Sequence, residues 1–188
     1  MHKNRLEAFS DGVLAIIITI MVLELKIPST QDFIGFQHVV HEVLGYLLSF
    51  VYIGIYWNNH HHLLHKAEKI DGRTMWANLH LLFWLSLIPF ATRWMAESNY
   101  SHWPVAAYGF VLFMSGIAYY LLSESLKKLH GKDSELSMAL KKNGKEITSI
   151  VLNLVSIIVA FFIPAISLTI FGLIALTWLI PDKRLEKK

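Results

Sequence analysis

The chain has 188 residues, 54% hydrophobic and 16% charged, with mean hydropathy +0.45 and a formal net charge of +3. A soluble domain carries about 25% charged residues, so this chain lacks the polar surface to coat a water-facing globule; disorder, collagen-like repeats and small secreted scaffolds fall with that class. Zero cysteines remove disulfides, zinc ribbons, thiol nucleophiles and iron–sulfur clusters.

Long apolar runs alternate with short Lys/Arg clusters, the pattern of an integral membrane protein. Crossing a hydrocarbon core of about 30 Å takes roughly 17–25 apolar residues at about 1.5 Å each. Six stretches qualify: residues 6–27, 39–62, 75–95, 103–126, 147–163 and 165–180. The last two share one apolar run, too long for a single crossing. Pro164 has no N–H and disfavours helix at the residue before it, so a hairpin is expected there. The segment from Lys127 to Glu146, with a Gly131-Lys132-Asp133 turn, reads as a solvated connector.

Six spans put fifteen of the 17 basic residues on one side, leaving only Lys26 and Arg93 on the other. The positive-inside rule then places both termini in the cytoplasm. The basic balance is thus a matter of topology, and no nucleic-acid partner is expected. Asp11 interrupts the first apolar run and no small-residue cleavage site follows, so that run does not read as a signal peptide. Residues 1–188 are read as one six-helix transmembrane domain, an all-α integral membrane protein.

The first span is unusual. Only 12 uncharged residues separate Asp11 from Glu24, about 18 Å of helix, so Ser10, Asp11 or Glu24 sits near membrane depth. An unpaired carboxylate there costs about 2.5–3.5 kcal/mol, so Asp11 must face protein or water. The second span ends at the same level with Trp57-Asn58-Asn59-His60-His61-His62. Asp11 accepting from the His60 or His61 ring, with Ser10 nearby, would be a structural lock. The same set admits a proton relay, or solvation without pairing. His61 and His65 stand at a metal-ligand spacing, but pairing or snorkelling explains them as well, and no metal is expected. His38, His41 and Glu42 form an interfacial cluster at the other end of that span.

Ile16, Thr19 and Leu23 share one helical face. Packing or lipid contact explains such a stripe, and so does a narrow apolar constriction with Glu24 at its outer mouth. No P-loop, G-x-S-x-G elbow, G-x-G-x-x-G fingerprint or carbonyl-filter string is present, and no enzyme or cofactor is indicated.

Arg5-x-x-x-Phe9-Ser10-Asp11-Gly12-Val13, followed by Ala15-Ile16 and Thr19, resembles the R-x-x-x-F-S-D signature of the transmembrane protein 175 family of potassium channels, in its bacterial branch. Trp57-Asn58-Asn59-His60-His61 is similar to that family's W-x-N-H-H stretch, and Leu87-Ile88-Pro89-Phe90 to its third-helix pattern. His62 departs from it, at a position where many relatives carry Arg.

The resemblance implies a plasma-membrane homotetramer of six-helix protomers, each giving its first helix to a central K⁺ pathway. Ile16, Thr19 and Leu23 would form the constriction, with Glu24 at the pore mouth. Arg5, Phe9, Ser10, Asp11, Trp57, Asn59, His60 and His61 would hold the helix in place. Selectivity for K⁺ over Na⁺ would be modest, since an apolar ring strips water without replacing it. The alternative is a proton-coupled secondary transporter using the Asp11/His60/His61 set.

Overall fold

The computed structural model describes residues 3–28, 32–140 and 144–179. Lys141, Lys142, Ile180 and the basic cluster Lys183, Arg184, Lys187 and Lys188 lie outside the described residues. Within them the chain is all helix: α1 (Lys3–Leu23), α2 (Phe33–Lys66), α3 (Gly72–Ser86), α4 (Ile88–Glu97), α5 (His102–His130), α6 (Glu135–Ala139), α7 (Gly144–Ala160) and α8 (Pro164–Leu179). Four helical stretches are long and apolar enough to cross a membrane: α1, α2, α3 with α4, and α5.

Helix boundaries follow local chemistry. Asp32 and Asp71 cap α2 and α3, accepting from the Gly35 and Thr74 N–H groups at 2.9 and 2.8 Å. α2 runs further at both ends than residues 39–62, because this cap and the polar turns around it extend the helix beyond the apolar core. The stretch expected at residues 75–95 is two helices. Pro89 cannot donate to the Leu85 carbonyl, and the ladder re-forms two residues later, from Ala91 N–H to Leu87 O at 3.0 Å. Gly131, at φ +86°, ends α5.

α7 and α8 form the hairpin expected at Pro164, which opens α8. Ser167 Oγ donates to Ser156 O near the turn, and Trp178 Nε1 donates to Ser149 Oγ at the far end, so the two helices run antiparallel. At 17 and 16 residues each is about 25 Å long.

α5 is the centre of the bundle, packed on α3, α4, α7 and α8. Gly109 is where it meets α8, since a Cβ there would stand 2.7 Å from Phe171 Cζ. A second device crosses α2, α4 and α5. Tyr108 donates to Ser49 at 3.0 Å, Ser49 to Thr92 at 2.7 Å, and Thr92 to Ile88 O at 2.7 Å, a chain in which Ser49 and Thr92 each give one proton and receive one. Between apolar helices in lipid, close packing and such hydrogen bonds drive association. α1 sits at the side of this core, against α2, α3 and α4.

Candidate ion-pathway helix

α1 meets its own protomer along Leu6, Ser10, Leu14, Ile17 and Met21, a stripe with the three- and four-residue spacing of one helix face. Its polar anchor is Ser10. His60 Nε2 lies 2.7 Å from Asn78 Oδ1, Asn78 Nδ2 donates to Ser10 Oγ at 3.0 Å, and Ser10 donates to Leu6 O at 2.9 Å. Asn78 Oδ1 only accepts, so the His60 proton is on Nε2 and the relay has one direction. All three side chains are buried.

Asp11 does not pair with His60 or His61. Its Oδ1 accepts from Trp57 Nε1 at 3.0 Å, one helical turn before His61 on α2. His61 instead stacks between Trp57 and His65, with ring centroids 6.2 and 6.0 Å away. Among the described residues no group of three or more His, Asp or Glu side chains is placed to hold a metal ion. Asn59 is buried, with its side chain donating to Ile55 O at 2.8 Å. Arg5 is exposed on α1.

The opposite face of α1 is bare. Ile16 is 60% exposed and Leu23 77%, with Thr19, Ile20 and Phe9 on the same side. Thr19 donates only to Ala15 O, 2.8 Å away. Small residues, Ala8, Gly12 and Ala15, line this face, and nothing in the protomer lies within 4 Å of a Cβ built on Gly12. An open groove beside the face, toward α4, includes Ile16, Ile20, Pro89 and Phe90.

Both ends of α1 are fastened. Lys3 Nζ donates to the His65 and Ala67 carbonyls at 3.1 and 3.0 Å, satisfying acceptors at the C-terminal end of α2. At the other end Glu24 is bound by Arg93 Nη1. Arg93 Nε also donates to Glu97 at 3.0 Å, and Lys26 binds Glu97 in turn. The Lys26 N–H donates to Glu42 at 2.8 Å. Glu24 is therefore half-neutralised by α4 of its own protomer, a partner that the spacing within the first span could not reveal. Asp71, outside the spans, is held below its ordinary value of 3.8, chiefly by the Thr74 N–H and then by the Thr74 hydroxyl.

Sequence reasoning missed Asn78 and Arg93 as members of these networks. Asn78 is a lone amide inside an apolar run, itself a sign of an interhelical partner. Arg93 shares one side of the membrane with Glu24 in the charge count.

Fold and site together define a multi-pass, all-helical membrane protein that anchors one apolar helix by its polar side and leaves the other side open. The sequence profile of the family described as endosomal/lysosomal potassium channel TMEM175 matches residues 5–89, which hold nearly all of α1, then α2, α3 and the first two residues of α4. Over 187 residues, covering all of this chain and 97% of the relative, the chain is 52% identical to a potassium channel of Chryseobacterium sp. (strain P1-3). It is 34% identical to a potassium channel of Streptomyces collinus over 129 residues, 64% of this chain and 63% of that one. The fold is similar to the crystal structure of a lysosomal potassium-selective channel TMEM175 homolog from Chamaesiphon minutus. The TM-score is 0.79 and the identity 25%, over 96% of this chain and 97% of that one. The chain belongs to the TMEM175 family of potassium channels.

Proposed function

We propose that this chain is one protomer of a symmetric homotetrameric channel of the plasma membrane that passes K⁺ along a central pathway lined by α1. The family and the potassium-channel relatives support the ion. The observation that carries the pathway is the bare face of α1: Ile16, Thr19 and Leu23 lie together on it, turned away from the protomer core. Thr19 and the small residues Ala8, Gly12 and Ala15 lie on that face, a composition that suits contact with another helix. The exposed residues of α8, such as Ile166, Leu173 and Leu176, suit lipid far better. The groove between α1 and Phe90 would seat the neighbouring protomer.

In this reading the α7–α8 hairpin supplies the fifth and sixth crossings, and both termini are cytoplasmic. An apolar ring of Ile16 and Leu23 makes an ion shed water without offering oxygens in return. The barrier is higher for Na⁺, which holds water more strongly, and selectivity is modest. Glu24 adds a negative field at the outer mouth, weakened by Arg93. Arg5, Phe9, Asp11, Trp57 and His61 support the helix from the side, and Ser10, Asn59 and His60 from within.

The test is the reversal potential of purified protein in a planar bilayer, K⁺ on one side and Na⁺ on the other. A shift toward the K⁺ equilibrium potential, reduced by Leu23→Ala or Ile16→Ala, is expected. An unchanged reversal potential in both variants would remove this face from the pathway. A silent bilayer together with saturable, pH-driven uptake into liposomes would favour the proton-coupled transporter.

A further inference from the structure

We propose that a cleft inside the protomer, remote from the bare face of α1, binds a small hydroxyl-bearing molecule with an apolar or aromatic body, recognised through the amide of Asn153. The cleft lies among α2, α5, α7 and α8 and measures about 480 Å³ with the open space at its mouth. Small-molecule sites occur between the helices of bundles as apolar hollows with a few placed polar groups. Its walls include Tyr56, Tyr119, Ile150 and Trp178.

One buried amide oxygen faces it unsatisfied. Asn153 is only 4% exposed, and its Oδ1 is fully buried with no hydrogen-bond partner among the described residues. The neighbouring polar side chains are committed elsewhere: Trp178 donates to Ser149, Tyr52 to Phe171 O, and Asn59 to Ile55 O. The Tyr56 phenol also lines the cleft, its ring edge-on to Tyr119 at 6.2 Å, as does the Glu146 side chain. A buried amide oxygen without a donor is costly in lipid, where no water competes to relieve it. A ligand hydroxyl supplies the donor and can itself accept from Tyr56, while the rings and isoleucines take up an apolar body.

The space is kept open by a missing side chain. A Cβ on Gly116 would stand 3.2 Å from Ile150 Cγ1 and 3.9 Å from the Tyr56 hydroxyl. Lys145 lies over the Trp178 ring, 4.5 Å from its centroid, so a cation already covers that aromatic face. Two sources share this chemistry, the glycerol or headgroup hydroxyl of a lipid and a free alcohol or phenol.

The probe is 4-fluorophenol, followed by fluorine NMR against the purified, delipidated protein in detergent, with 4-fluoroanisole as the analogue lacking the O–H. Saturable binding of the phenol is expected, with the anisole roughly tenfold weaker. Asn153→Leu should weaken binding by about tenfold or more while leaving Tm unchanged or higher, because it removes an unsatisfied polar group. Tyr56→Phe should weaken it by a smaller factor, and Gly116→Val should block it by filling the cleft. Release of a co-purified lipid by the phenol, seen by mass spectrometry of protein that has not been delipidated, assigns the native occupant to lipid. Binding without release assigns it to a free solute. No saturable binding to the wild type, equal binding of the anisole, or full binding by Asn153→Leu would each overturn the proposal.

Discussion

α1 and α5 are both apolar and both long enough to cross a bilayer, yet 28% of the apolar stretch of α1 is buried in the protomer against 56% for α5. α5 carries its partners on several sides: Tyr108 and Gly109 meet α8, and Ser115, Tyr119 and Leu122 are buried further along. α1 spends one stripe on its own protomer and keeps the rest. Hydropathy does not separate the two helices. The difference lies in where polar atoms sit: α5 ends its hydrogen bonds inside the bundle, whereas α1 has one buried polar anchor, Ser10, and one exposed carboxylate, Asp11, held at its edge by Trp57 of α2. A helix with both cannot be wholly lipid-facing or wholly core.

The contrast can be broken most severely at α5. Tyr108→Ala removes an aromatic packed edge-on against Phe171 and the donor to Ser49. It should cost about 3 kcal/mol or more, measured as loss of folded protein and of Tm in detergent. A small loss would mean that α5 is not the structural centre.

Next comes the inward anchor of α1. Asn78→Ala leaves buried His60 and Ser10 without each other's relay and should cost about 1–3 kcal/mol, whereas Asn78→Asp keeps an acceptor for His60 and loses only the donor to Ser10. Equal Tm values for the two variants would show that the direction of the relay is unimportant.

On the bare face, Leu23→Ala should change protomer stability by no more than about 0.5 kcal/mol while altering the reversal potential. A large fall in Tm with unaltered permeation would reverse the assignment of that face.

The smallest effect belongs to Asp71. Its folded pKa is depressed, so its contribution is present above the unfolded value and is lost as pH falls through the folded one. Asp71→Ala should therefore lower Tm slightly at neutral pH, and the gap from wild type should close below pH 3.8. A gap of constant size across that range would mean the carboxylate acts only as a spacer.

Much of this was legible in the sequence, for reasons of length. Apolar runs and Pro164 set the long helices and the hairpin, because a helix in lipid has few alternatives. The break at Leu87 was hidden, since Pro89 sits in an unbroken apolar stretch and both halves still cross together. The bare row of Ile16, Thr19 and Leu23 could be read as a row, but not as bare, because exposure depends on what the rest of the chain covers. Asp11 shows the limit of depth arguments. Spacing put it at the same end of the helix pair as the polar end of α2, but its partner depended on the rotation of α2 about its axis, which put Trp57 rather than His60 or His61 in reach. His60 turned inward to Asn78, a residue that no local pattern ties to it.

The fastening of α1 at both ends has a mechanical consequence. Lys3 holds one end to the carbonyls of α2, Arg93 holds the other through Glu24, and Ser10 pins the shaft between them. A beam clamped in this way resists twisting about its own axis. Any turn that swings Ile16 and Leu23 about the helix axis must strain a clasp or carry α2 and α4 along with it. Movement of the open face is therefore geared to the Arg93–Glu97 turn of α4 at one end and to the α2–α3 loop at the other, so a displacement of either is passed along the whole helix.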